Sequence, residues 1–253
     1  MEKLISLPSI EIMEGGKIEE IYLTGDPFFY FRFEVNDHYL WCDYDYPERK
    51  LTSISYCMVS GPVVVHGKEC LEVHCREFTP GGEYEGESFY YAEVNEHGER
   101  GLLFIRKDKN GRGVVEEIDE EVIKRRIRKG EEFVMREEYT SGEFMRRYES
   151  KGRIEGPFRV KLGEKEYETL RITKWSENEL AEVYVDGKTG LTVLFRRYNG
   201  PGWDNYEELP SSPGKEIEGI HFRLWYDSIP VRDEEAMRST GFYHQSLFFS
   251  KNT

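Results

Sequence analysis

Apolar positions recur every second residue along most of this chain, the period of strands with one buried face. Phe29, Phe31, Phe33 and Val35 alternate with Tyr30, Arg32 and Glu34, which predicts a strand over 29–35. Asn36-Asp37 suits a tight turn into a strand at 38–42, and after Pro47 the extended pattern resumes over 51–59. Gly61-Pro62 punctuates the chain before Val63-Val64-Val65, a turn at His66-Gly67-Lys68 and a returning strand over 70–78. The stretch 79–86, with Pro80, Gly81 and Gly82, reads as irregular. A hairpin follows, 88–95 against 101–107. Asn110-Gly111 is the strongest two-residue hairpin signal and predicts that Val114-Val115 pairs back on 102–107.

One segment departs from this period. Ile118, Val122, Ile123 and Ile127 share a face at helical spacing, with Gly130 where a helix C-cap glycine would sit, so a helix is expected over 117–129. Strand patterning then resumes to about 198 and echoes the first half. Residues 92–102 align without a gap on 181–191, Gly61-Pro62 precedes one copy as Gly156-Pro157 precedes the other, and 69–73 matches 168–172 in alternation. Order and spacing both agree, which points to two related β units. A Gly- and Pro-rich loop spans 199–214. A late strand covers 217–229, with Ile220, Phe222, Leu224 and Tyr226 on one face and His221, Arg223, Trp225 and Asp227 on the other. The aromatic tail, Phe242-Tyr243 and Phe248-Phe249, is expected to dock on the body.

Composition supports a β fold: aromatics reach 14% of 253 residues, and rings pack well on pleated surfaces. A formal charge of −14 disfavours a nucleic-acid partner. The basic run 124–129 follows the acidic run 116–121, the order that complements a helix dipole rather than a phosphate-binding stripe. No stretch approaches the ~20 apolar residues of a membrane span, and the first dozen residues lack the apolar core of a signal peptide. Cys42, Cys57, Cys70 and Cys75 are too few for a disulfide scaffold. Reduced thiols and a cytoplasmic location are the expectation.

Two phrases, Asn36-Asp37-His38-Tyr39-Leu40-Trp41 and Val185-Asp186-Gly187-Lys188-Thr189-Gly190-Leu191, resemble bacterial lipoprotein-carrier half-barrels of the LolA-like kind. The resemblance implies consecutive strands of a curved antiparallel sheet whose concave face shelters a lipid or another apolar ligand.

Candidate chemistry is sparse. Cys70, Glu72 and His74 would project from one strand face, but the second unit has Thr169, Arg171 and Thr173 there, so the face reads as polar surface and no metal is expected. No nucleophile elbow or phosphate loop occurs, His97 lies in a hairpin turn, and no cofactor is expected. Glu93 and Glu182 occupy matching positions in the aligned copies, where a pseudo-twofold fold would let two carboxylates converge. Tyr91 shares a strand face with Glu93, as Tyr184 does with Glu182. Trp203, in the Gly/Pro loop, and Trp225, on the late strand, are further ligand-contact candidates. The expected architecture is mainly β: a curved antiparallel half-barrel or barrel from units 1–115 and 131–253, joined or covered by a helix at 116–130. The expected function is non-catalytic binding of an apolar or aromatic small molecule. The alternatives are a carboxylate-dependent enzyme and an acidic protein-interaction module.

Overall fold

The computed structural model describes residues 7–120 and 124–232. Their strands are, in chain order, β1 (Ile10–Glu14), β2 (Glu20–Tyr22), β3 (His38–Asp45), β4 (Lys50–Val65), β5 (Lys68–Phe78), β6 (Tyr84–Val94), β7 (Glu99–Asp108) and β8 (Gly113–Glu120). The second half supplies β9 (Arg126–Arg128), β10 (Glu132–Ser141), β11 (Phe144–Leu162), β12 (Lys165–Trp175), β13 (Glu179–Asp186), β14 (Thr192–Asn199), β15 (Gly214–Ile217) and β16 (Ile220–Val231). Twelve of these close an antiparallel barrel in the order β3 to β8, β10 to β14, then β16, which pairs back onto β3. The 19-residue β11 makes one of the seams: its first part pairs with β10 and its second with β12. Closure leaves few open edges, the hazard of any long antiparallel sheet. β1 adds to β11 and β15 to β16 along the ends of the wall.

Side-chain alternation sorts the wall into two faces. Tyr39, Cys57, Val73, Tyr90, Ile154, Ile172, Val183 and Phe195, from strands all around the ring, meet in one apolar cluster, which only the lumen permits. Ile21, Leu23, Tyr30 and Phe31 join them, so the segment before β3 is a plug inside the barrel. β2 pairs with β9 beneath it. Asp26 holds the plug's turn, its Oδ1 accepting the Phe28 and Phe29 amides at 2.6 and 2.7 Å. Phe29 stacks on Tyr90 with centroids 4.2 Å apart.

The two six-stranded halves share two irregularities. Gly61 and Gly156, both with φ in the glycine region, sit at register shifts in the β4–β5 and β11–β12 pairs. Beyond them, Cys70 matches Thr169 and Glu72 matches Arg171, as the sequence alignment has it. The next pairs shift at Tyr91/Ala92 and Tyr184/Val185. Those shifts set Ala92 on Val185, not on Ala181, so Glu93 corresponds to Asp186 and Glu182 to Phe89. The ungapped match of 92–102 with 181–191 followed similar turn wording and missed the register.

Three further expectations are corrected. The helix over 117–129 is absent: Gly113–Glu120 is strand, bonded to β7 on one side and β10 on the other, and Arg126–Arg128 is strand again. A helix there would have left both neighbours with unpaired backbone groups; Val122 and Ile123 lie outside the described residues. The acid-then-base order serves cross-strand pairing instead, with Arg100 2.7 Å from Asp119, and Glu20 bridging Arg126 and Arg128 at 2.5 and 2.7 Å. The strand expected over 29–35 is the plug, where Tyr30 turns with φ of 62° and the aromatic run finds lumen on several sides. In β16 a register shift opposite Arg197/Tyr198 breaks the alternation. Phe222 and Leu224 pack on the outer wall, whereas Tyr226 packs into the lumen cluster. The hairpin after Asn110-Gly111 forms as expected, with Arg106 opposite Val114 and Ile105 opposite Val115. The tail expected to dock lies outside the described residues.

Reduced thiols were expected throughout, but Cys57 and Cys75, directly opposite on β4 and β5, form a disulfide. Cys42 and Cys70 are free and buried.

Candidate functional site

The two ends of the barrel differ. At one, the turns at 66–67, 163–164 and 187–191 surround the plug, and Thr24 Oγ1 donates to the Thr189 carbonyl at 2.5 Å. At the other, the turns at 46–49, 79–83, 109–112 and 142–143 and the loop 200–213 surround an open mouth. Two hollows occupy it, of about 390 and 470 Å³, both lined by Arg197. The inner chamber has Phe29 of the plug as its floor. Trp41, Tyr90, Phe104 and Tyr226 form its apolar walls, and Ser53, Ser55, Ser88, Asp43, Glu77 and Arg106 its polar ones. The Tyr30 ring meets the Trp41 ring edge-on at 4.3 Å, fixing the indole from below. The outer hollow runs between Tyr139 and Tyr148 on one side and Trp203 on the other.

Most charges around these hollows are paired. Arg106 Nη2 lies 3.3 Å from Glu77, Arg197 Nη2 2.5 Å from Glu179, and Lys174 is bonded to Glu137. Arg197 also lies over Trp203 and Trp225, at 5.4 and 5.7 Å from their centroids, an arrangement that stabilises a guanidinium by up to ~2 kcal/mol when desolvated. Asp43 is different. Its carboxylate accepts the Ser228 hydroxyl, opposite it on β16, and forms no ion pair among the described residues, the chamber's two arginines being paired with Glu77 and Glu179. Burial pushes its carboxyl up to about 7, with Asp45 and Glu77 adding repulsion and the Ser228 bond offsetting part of it.

The sequence-derived candidates divide. Trp203 and Trp225 do come together, ring centroids 6.1 Å apart, at the mouth. Tyr91 and Glu93 share a face, but it is the outer one: Lys68 donates to Glu93 at 2.8 Å, and burial pushes the Tyr91 hydroxyl up to about 12, with Glu72 beside it. Glu182 and Tyr184 are also on the outer face, in a buried polar cluster where Arg171 lies 3.1 Å from Glu182, Tyr198 donates to it at 2.9 Å, and Lys215 is bonded to it. In ring order β6 and β13 are separated by five strands on either side. Glu93 and Glu182 therefore stand outside opposite walls and cannot converge. Cys70, Glu72 and His74 share the outer face of β5 as expected, with Ser60 donating to Glu72 and His74 bonded to Glu87 while stacked on Phe89. Among the described residues no group of three or more metal-ligating side chains is placed to hold an ion.

Sequence reasoning missed Asp43, Trp41, Ser228 and Arg197. A signal for the first existed: in His38–Asp45, Asp43 falls in alternation with Tyr39 and Trp41, an acid on an aromatic face. Arg197 and Ser228 carried none, because the shift in β16 reassigns the faces there. No family model matches the chain, and no characterised protein or solved structure does.

Proposed function

We propose that the barrel is a binding protein that holds a small aromatic or otherwise largely apolar molecule in its mouth, without catalysing a reaction. The observation that carries this reading is the inner chamber: a hollow floored and walled by Phe29, Trp41, Tyr90, Phe104 and Tyr226, with a few polar groups converging on it. Small-molecule sites have this make-up, concave and mostly apolar with sparse, oriented polar contacts. Its floor and walls are already packed, Phe29 against Tyr90 and Trp41 against Tyr30, so little side-chain ordering opposes binding. An apolar ligand under a curved antiparallel sheet is also what the LolA-like phrases imply. The carboxylate-enzyme alternative loses its geometric basis with Glu93 and Glu182 on opposite outer walls. A Cys57–Cys75 disulfide fits an oxidising compartment better than the cytoplasm expected from the sequence.

The test is native mass spectrometry of the purified chain, followed by a screen of small aromatic fragments read by intrinsic Trp fluorescence. The wild type is expected to retain or acquire a small molecule that Ser53→Phe, which fills the chamber from its β4 wall, no longer takes. Equal binding by the two proteins would move the site elsewhere, and no binding by the wild type would remove the reading.

A further inference from the structure

Among the described residues that line the inner chamber, the ion pairs leave one carboxylate over. Within the inner chamber Arg106 is matched by Glu77, and Arg197, reaching in from β14, by Glu179 and two indole faces. Asp43 has only a neutral hydroxyl donor, Ser228, and stands on the same strand face as Trp41. Other groups turned toward it are Tyr226 of β16, Ser53 of β4, Glu77 of β5 and Tyr30 of the plug, with Asp45 on its own strand. Each is neutral or acidic. An anion at this position would meet Asp43 and Glu77, and an uncharged ligand would leave the half-buried Asp43 without a counter-charge. A ligand ammonium would satisfy it, with electron-rich faces of Trp41, Tyr90 and Phe29 around its substituent.

We propose that the chamber is specific for small organic amines, the ammonium seated on Asp43 and the apolar body lying among Phe29, Trp41, Tyr90 and Phe104. This inference rests on the binding reading given above and narrows its ligand class. Asp43 is then a recognition residue whose charge state sets affinity. Because its carboxyl titrates near 7, the competent ionised form is a minor species at pH 6 and the major one at pH 8. Apparent affinity scales with the competent fraction, so an amine should bind about tenfold more tightly at pH 8 than at pH 6. Proton release on binding accompanies this change.

Benzylamine and benzyl alcohol, near-isosteres that differ in charge, separate the possibilities when titrated into the full chain at both pH values by calorimetry. Benzylamine is expected to bind at least tenfold more tightly than benzyl alcohol at pH 8, and to lose about tenfold by pH 6 while the alcohol does not change. In Asp43→Asn the amine preference disappears and alcohol binding remains. Equal affinity for the two probes at pH 8 overturns the amine specificity and leaves the binding reading standing. Binding of neither, with no fragment found in the wider screen, overturns both. If Asp43→Asn fails to fold, the wild-type comparison of the two probes decides alone.

Discussion

Asp227 and Asp43 lie one register step apart on neighbouring strands and face opposite sides of the barrel wall, Asp227 opposite Tyr44 and Asp43 opposite Ser228. The outward carboxylate is fully buried and held by charge and hydrogen bonds: Tyr46 Oη donates to it at 2.9 Å and Arg196 Nη2 at 3.2 Å. The inward one has the Ser228 hydroxyl. The same residue type is thus built into the wall on one side and left for something else on the other.

Asp43 should make stability depend on pH in a defined direction. Its folded-state carboxyl is raised from 3.8 to about 7, so between those values the folded chain holds a proton that the unfolded chain has lost. Stability therefore falls as pH rises from about 4 to 7 and levels off above. Asp43→Asn removes that slope and should be the more stable protein at pH 8, by roughly 2–4 kcal/mol, with little difference near pH 4. Urea midpoints of both proteins across this range check it; a difference that does not vary with pH would contradict the assignment.

On the outer wall, Glu182 is 2% exposed and tied to Arg171, Tyr198 and Lys215. Glu182→Gln keeps the shape but leaves the half-buried Arg171 and Lys215 short of a counter-charge, a loss of about 3 kcal/mol, the low end for breaking a buried pair because Arg171 keeps Glu155. Chemical denaturation should show that loss while binding in the mouth, on the other face of the wall, is unchanged.

The Cys57–Cys75 bridge has a sequence separation of 18, and closing a loop of this size contributes about 3 kcal/mol by restricting the unfolded chain. Denatured, unreduced protein should therefore show two reactive thiols, from Cys42 and Cys70, and four after reduction. A count of four before reduction would show that the bridge is absent. Reduction should also lower the denaturation midpoint.

Gly190 fastens the plug. Its φ is +68°, and a Cβ there would come within 2.2 Å of the Tyr22 carbonyl oxygen and 2.9 Å of the Thr24 amide. Gly190→Ala must displace backbone on one side or the other. A loss of at least 2 kcal/mol is expected, together with faster amide exchange over residues 22–33.

Much of this architecture is legible in the sequence because hairpins are local. Asn110-Gly111, His66-Gly67 and the alternation in 51–59 each specify a turn or strand from adjacent residues, and each forms. What could not be read depends on distant partners. Alternation in 29–35 is equally satisfied by a strand with one buried face and by a plug whose successive residues Tyr30 and Phe31 are both buried, and only a closed lumen distinguishes them. Ile118 and Ile127 fit a helix period, but the open edges of β7 and β10, formed far along the chain in either direction, claim the first of those segments as strand. The site followed the same rule. Trp203 and Trp225 stood out by type and place, whereas Arg197 meets them only because β14 and β16 pair with a shift.

The plug also sets an order of events. Thr24 and Thr189, bonded to each other in the finished barrel, are 165 residues apart, and Leu23 takes its backbone partner from Arg125. A ribosome releases the aromatic segment long before the turn that fastens it exists. Until then Phe28, Phe29, Tyr30 and Phe31 have no lumen to enter. Contacts of such long range slow folding and leave an apolar segment waiting, open to aggregation until the barrel closes around it. The piece of the molecule made early is therefore among the last to reach its place.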